Sequence, residues 1–287
     1  MTAGYDPTIL VTGASGLFGG EIAKQLSAID VAIRILVRNP ARAPGLDGHI
    51  ETTIGDFGDP DSLQPALEGI ERIFVASYDR PEMIEHQANI LAAARSAGVR
   101  HVVRLSTNGT DEYAHLPIFQ QHQACDRQLI DSGLDYTLLK PVWVMQNFAS
   151  FLLIDDSIRV PAGDGVAAQI DARDVATVAI AALTEEGHAG KGYILGAEAL
   201  SHGEIARVLS RSTGRTISYV DLDPEAYRRE LESAGWAIQS IDSMLGLFAD
   251  IRAGTNSDST VGDTILPILG RPAIRFRQFA EDYATRI

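Results

Sequence analysis

Gly13, Gly16 and Gly19 recur at every third position of Thr12-Gly-Ala-Ser-Gly-Leu-Phe-Gly-Gly20, directly after a short apolar run and directly before a helical pattern. Glycine lets a backbone turn tightly and approach a pyrophosphate, and a helix that starts there aims unpaired N–H groups and a partial positive charge at the phosphates. The spacing therefore predicts a dinucleotide-binding turn. In such a turn, the residue about 20 positions further on meets the adenosine ribose, and an acid there bonds the 2′-hydroxyl. Here the stretch is Val37-Arg-Asn-Pro-Ala-Arg42, which has two guanidiniums and no acid. Arginine forms charge-assisted, often bidentate bonds to phosphate. Arg38 and Arg42 thus predict a 2′-phosphate, so that NADP is the cofactor and NADPH is preferred over NADH.

A second constellation is Tyr136-x-x-x-Lys140. On a helix these residues would share a face, and the lysine would tune the phenol for acid catalysis. The segment instead reads as a strand ending at Pro141, which separates the two side chains by about 13 Å. The pair is not expected to act together. His122, on a helix spanning about 117–131, is the leading proton donor, because an imidazole titrates nearest neutrality. Lys140 is the second. Trp143, Phe148 and Phe151 follow the same strand and offer flat faces to a flat substrate or to the core. Cys125 reads as an ordinary helix residue.

These groups need a scaffold, and the first half of the chain alternates two kinds of segment. Strand-like runs at 8–12, 32–37, 72–76, 101–106 and 136–139 are apolar nearly throughout, as strands buried on both faces are. Between them, apolar residues recur at helical spacing in 21–29, 60–67, 82–97 and 117–131. Asp59 stands at the cap position of the second helix, and Gly98 ends the third. Such alternation predicts an α/β fold with a Rossmann-like doubly wound parallel sheet. After Pro141 the rhythm changes. Residues 146–154 read as helical, 160–165 as a turn cluster, 170–183 as strand then helix, and 192–195 as another strand. From Ser201, where Ser201-x-x-Glu204 makes a capping box, the chain reads as mostly helical. The expected division is an NADP-binding domain over 1–155, joined again by 168–197, and a smaller, mainly helical substrate-binding lobe from 156–167 and 198–287.

Composition limits the partners. The 287 residues carry 24 Lys+Arg against 38 Asp+Glu, a formal net charge of -14. That balance repels phosphate backbones, so no nucleic-acid partner is expected. The single cysteine permits no internal disulfide and no cysteine-ligated metal; no metal site is expected, and a reducing cytoplasmic setting fits. No apolar stretch approaches the ~20 residues that span a bilayer, and Met1–Pro7 carries no basic residue. Neither a membrane partner nor a signal peptide is expected.

Taken together, Val11–Gly16, Val37–Arg42, Gly55-Asp56 with Ser62-Leu63, Ser132–Pro141 running to Asn147, Ala162-Gly-Asp-Gly165 and Glu186–Lys191 resemble the NmrA-like, atypical branch of the short-chain dehydrogenase/reductase superfamily. The likeness is to its type 2 NAD(P)H:quinone oxidoreductase and triphenylmethane reductase groups. The resemblance implies that Gly13, Ser15, Gly16, Leu17 and Phe18 line the pyrophosphate, and that Asp56 and Phe57 meet adenine. It further implies Ala76, Ser77 and Tyr78 near the riboses, and Ser106, Thr107, Lys140, Pro141, Val142 and Trp143 bordering the nicotinamide. A substrate would meet Tyr78, Phe119, Trp143, Asn147, Phe148 and Phe151. The chain departs from its relatives at Lys140, usually arginine, and at Gln123 and Gln146, all in the substrate half. The resemblance and the residues together imply a cytoplasmic NADPH-dependent reductase, monomeric or homodimeric, that passes hydride to a small conjugated acceptor such as a quinone. The alternative is a non-catalytic NmrA-like protein that senses NADP(H).

Overall fold

The computed structural model describes residues 7–77, 80–256 and 265–287. Contacts divide the chain into two compact units. The first comprises the chain up to Ser106 with Gln121–Lys140 and Ala172–Tyr193; the second comprises Thr107–Gln120, Pro141–Asp171 and the chain from Ile194.

The first unit is built on strands β1 (Ile9–Thr12), β2 (Ile33–Val37), β3 (Ile50–Ile54), β4 (Arg72–Val75), β5 (His101–Leu105) and β6 (Asp135–Pro141). Their order is β3-β2-β1-β4-β5-β6, parallel throughout. The order reverses between β1 and β4, and an open α/β sheet binds ligands at the carboxyl ends of its strands at that point. The fold is the doubly wound α/β class read from the sequence. Strands β1 and β2 are buried almost throughout, whereas β3 is mostly exposed, because an edge strand is covered on fewer sides.

Helices α1 (Leu17–Ala28), α2 (Leu63–Leu67), α3 (Met83–Ala97), α4 (Pro117–Ile130) and α5 (Ala172–Thr184) follow the apolar periodicity. Helix α1 turns Ile22, Ala23 and Leu26 inward. Its Gln25 bonds the Arg173 carbonyl and the Thr177 hydroxyl of α5. The helix expected over 60–67 splits into a tighter turn, Pro60–Ser62, and then α2. Asp59 makes no side-chain cap there; the Ser62 hydroxyl bonds the Asp56 amide and the Asp59 carbonyl instead.

Residues 146–154 do not form the expected helix. Met145–Ala149 makes a tight helical turn, and two of the next residues, Leu153–Ile154, pair as a strand. Burial of Met145 and Phe148 drives this shape. The second unit contains β7 (Trp143–Val144), β8 (Leu153–Ile154), β9 (Ser157–Val160) and β10 (Val166–Ile170). After β11 (Lys191–Leu195), the outer strand beside β6, come β12 (Glu198–Ser201) and β13 (Ser218–Asp221). Two three-stranded sheets result, β12-β10-β7 and β13-β9-β8. The unit's helices are α6 (His202–Thr213), α7 (Pro224–Ser233), α8 (Ile238–Ala253), α9 (Leu266–Leu269) and α10 (Phe276–Asp282). The expected capping box closes the start of α6, with Ser201 and Glu204 bonding each other's backbone N–H.

Two features of this unit explain motifs seen in the sequence. A Cβ on Gly165 would overlap the Ile251 carbonyl of α8, so only glycine lets that helix close on the turn. The adjoining Arg252 bonds the Pro161 carbonyl at 3.1 Å and pairs with Asp221, which also accepts the Gly163 amide. The Ala162-Gly-Asp-Gly165 motif is therefore a packing device in this chain. Separately, Tyr113, Leu116 and Phe119 cluster with Leu247 of α8. Among the described residues, no helix is long and apolar enough to cross a membrane, and no group of His, Cys, Asp and Glu could hold a metal ion.

Candidate functional site

A cavity opens at the carboxyl ends of β1 to β4, at the reversal of strand order. Thr12, Gly13 and Ser15 line it from the first turn, Val37 and Arg38 from the end of β2. Gly55, Asp56 and Phe57 follow β3, and Ala76 and Ser77 follow β4. Arg80, Met83 and His86 complete it from the start of α3.

The turn itself is built for an anion. Gly13 has a φ of 66°, a left-handed conformation that favours glycine. Its carbonyl accepts the Gly16 amide at 2.9 Å. A Cβ on Gly19 would overlap the carbonyls of Thr12 and Gly13, so glycine is what lets α1 pack onto the end of β1. No side chain caps α1, which leaves the N–H groups of its first turn available to a phosphate. Opposite the turn, the Ser77 hydroxyl is buried with no partner in the protein. A buried hydroxyl without a partner is costly, and a ligand's ribose or phosphate oxygen would satisfy it. Asp56 is fixed by its own loop: its carboxylate accepts the Gly58 amide at 2.9 Å, and Asn89 holds the next carbonyl at 2.8 Å. Arg38 is exposed at the cavity's edge. The residues present fit a dinucleotide bearing an extra phosphate.

Of the expected cofactor residues, the cavity brings together Gly13, Ser15, Arg38, Asp56, Phe57, Ala76 and Ser77. Gly16, Leu17 and Phe18 lie just outside its lining, as the cap and first turn of α1. Arg42 ends the short turn Pro40–Arg42, shaped by the Asn39 side chain accepting the Ala41 amide, and does not line the cavity. Tyr78 lies outside the described residues. Arg80, Met83 and His86 were not legible in sequence, since nothing but their place after β4 marks them.

A second, buried cluster stands beside the carboxyl end of β5. Arg104, 1% exposed, donates from Nε to Gln87 at 2.6 Å, from Nη1 to Asp126, and from Nη2 to His122 Nδ1 at 3.3 Å. The Ser106 hydroxyl donates to the other oxygen of Asp126 at 2.8 Å, and Lys140 Nζ stands 4.0 Å from that oxygen. Both sequence-derived proton donors, His122 and Lys140, thus meet one network. Tyr136 lies on β6 with Lys140, so the two do share a strand and not a helix. Cys125 is fully buried, and burial pushes its thiol pKa up; it has no activated-nucleophile character.

The remaining expected residues lie in the second unit. Thr107 opens it, the Pro141 carbonyl accepts the Asn108 amide, and Val142 donates to the Leu195 carbonyl. Trp143 stacks on Phe248 with centroids 5.4 Å apart. Phe148 is 2% exposed and packs edge-on against Phe276, and Phe119 is buried against Tyr113. These two rings fill the core and offer no open face to a substrate. Phe151 packs edge-on against Trp236. Asn147 gives its backbone carbonyl to the amides of Ser150, Phe151 and Leu152.

Against known proteins, residues 5–268 match the model of the NmrA-like family. The chain belongs to the NmrA-like family. It is 33% identical over 285 residues to an NAD(P)H azoreductase of Xenophilus azovorans, covering 96% of this chain and 98% of the relative. Its fold is similar to that of an NADPH-dependent quinone oxidoreductase from Escherichia coli, solved with NADPH, at a TM-score of 0.82 and 27% identity, covering 96% of this chain and 99% of the other. It is similar also to a Citrobacter triphenylmethane reductase solved with NADP(H), at a TM-score of 0.82 and 26% identity, again covering 96% and 99%. The NmrA-like match takes in both the phosphate turn and the Arg104 cluster.

Proposed function

We propose that this NmrA-like chain is an NADPH-dependent reductase that acts on a small conjugated acceptor such as a quinone. The observation that carries the reading is the cavity where the Gly13 turn, the Ser77 hydroxyl and Arg38 meet at the reversal of strand order, next to the uncapped start of α1. The relatives that are similar along the whole chain are named as reductases of azo compounds, quinones and triphenylmethane dyes, and they support this reading.

When bound, the cofactor supplies a hydride; that chemistry belongs to the nicotinamide. The chain's own residues do the rest. The Gly13–Gly16 turn and the first turn of α1 hold the pyrophosphate. Arg38 holds the 2′-phosphate, and the absence of an acid at the end of β2 removes the partner that NADH would need. Ser77 meets the ribose side of the cofactor, and Asp56 and Phe57 meet the adenine. His122 and Lys140 carry N–H groups that stabilise negative charge developing on the acceptor, and the Lys140 ammonium returns a proton to it. A flat, electron-poor acceptor asks for little more than orientation, which fits Tyr136 and Lys140 lying on a strand and not on a helix.

One observation favours a second reading, an NADP(H)-sensing regulator: Tyr136 and Lys140 share a strand, so these two residues do not form a helical acid pair. Incubation with NADPH and a panel of quinones, azo compounds, conjugated enones and imines separates the two. Loss of nicotinamide absorbance with at least one acceptor supports the reductase. Tight, redox-selective NADP(H) binding with no oxidation by any acceptor supports the sensor.

A further inference from the structure

We propose that Arg104 is a positioning residue that fixes the proton of His122: its guanidinium holds the imidazole as the Nε2–H tautomer and, through Asp126, orients Lys140. The contribution to turnover rests on the reductase reading above; the tautomer does not.

A guanidinium has five N–H donors and no acceptor, and it keeps its charge in proteins. Any nitrogen that faces it within hydrogen-bond reach must present a lone pair. His122 Nδ1 lies 3.3 Å from Arg104 Nη2. The ring proton of the bonded imidazole is therefore on Nε2, and a ring protonated on both nitrogens would set N–H against N–H. His122 then works as a neutral hydrogen-bond donor and not as an imidazolium acid.

The fold leaves Arg104 little freedom to turn away. His122 and Asp126 stand at i and i+4 on α4, one face of one helix, and a single guanidinium fork from β5 engages both. Gln87 of α3 holds the third edge at 2.6 Å and is itself tied to the Cys125 carbonyl at 2.5 Å. Asp126 completes the arrangement. One oxygen takes Arg104; the other takes the Ser106 hydroxyl and faces the Lys140 ammonium. Donors held in place before reaction stabilise developing charge without reorganising. One buried charge pair thus sets both the proton position of the imidazole and the place of the ammonium.

The test uses the full chain, labelled with 15N-histidine and loaded with NADP⁺, at a pH of about 8, where a free imidazole is neutral. The His122→Gln spectrum identifies the His122 resonances. The expected result is an unprotonated Nδ1 and a protonated Nε2. A protonated Nδ1 in the wild type overturns the proposal, and this measurement needs no variant that might fail to fold. Arg104→Lys keeps the charge toward Asp126 but lacks the fork. It is expected to mix the two tautomers and to lower kcat at least ~10-fold, while the Kd for NADPH moves less than ~2-fold. An Arg104→Lys protein with the wild-type tautomer and wild-type kcat overturns the proposal too. The expected wild-type tautomer, with no acceptor reduced, counts against the reductase reading alone.

Discussion

The Thr12 hydroxyl accepts the Ala76 amide at 3.1 Å, which ties the carboxyl end of β1 to that of β4 across the point where strand order reverses. Both residues line the cavity, and Thr12 is 1% exposed. Thr12→Val keeps the shape and leaves the Ala76 N–H without its partner, at a cost of about 1–3 kcal/mol. The expected outcome is a lower denaturant midpoint together with weaker NADPH binding. A stability loss with unchanged NADPH affinity would show that the tie serves the fold alone.

Gly19 makes the sharpest steric demand in the turn. A Cβ there would overlap two backbone carbonyls, and backbone yields less readily than a side-chain tip. Gly19→Ala is expected to shift α1 away from β1, at about 1–3 kcal/mol of stability, and to weaken NADP⁺ binding at least ~10-fold. Calorimetric titration beside a thermal melt reads both. Wild-type affinity in a folded Gly19→Ala protein would remove the turn from the cofactor site.

On the proposed assignment, Arg38, which lines the cavity, decides which cofactor is used. A hydrogen bond to a charged group contributes about 1.5–3 kcal/mol, so Arg38→Ala should weaken NADPH binding by roughly 10- to 100-fold and leave NADH within ~2-fold. Equal losses for both cofactors would contradict the 2′-phosphate assignment. Arg42, outside the cavity lining, is expected to change either affinity by less than ~2-fold when replaced by alanine.

Stability should fall on the acid side of neutrality. His202 is 2% exposed among Phe148, Tyr219 and Phe248, and burial pushes its pKa from 6.5 down to about 4. Below 6.5 the unfolded chain binds a proton that the folded chain refuses. Stability is therefore full above that pH and declines as pH falls toward 4, by about 1.4 kcal/mol per pH unit and about 3 kcal/mol in all. Burial lowers the pKa of His101 and His188 too, which adds to the same slope. Denaturation curves at several pH values should show a shallower slope in His202→Leu. An unchanged slope would mean that His202 is protonated in the folded state.

Much of this was open to reading along the chain. The glycine turn, the arginine after β2 and the alternation of strand and helix are local patterns, because the backbone conformation and the phosphate chemistry act within a few residues. The Arg104 cluster was not local: His122 and Lys140 stand out by residue type, but their respective partners, Arg104 of β5 and Asp126 of α4, meet each other only when the unit folds. Arg80, Met83 and His86 line the cavity through their position after β4, with no motif to mark them. The two small sheets of the second unit escaped for another reason. Strands of two to five residues, such as Trp143–Val144 and Leu153–Ile154, are too short to show a period. The same shortness let the aromatic run of 146–154 read as a helix.

Hydride transfer from NADPH is the activity on which the proposed function stands. A single-turnover experiment without oxygen tests it most directly: protein loaded with one equivalent of NADPH is mixed with each acceptor of the panel in turn. The predicted result is that for at least one acceptor, loss of nicotinamide absorbance matches acceptor reduced one for one, and that Arg38→Ala loaded at the same low NADPH concentration loses most of that signal. Bound NADPH that outlasts every acceptor unchanged would contradict it.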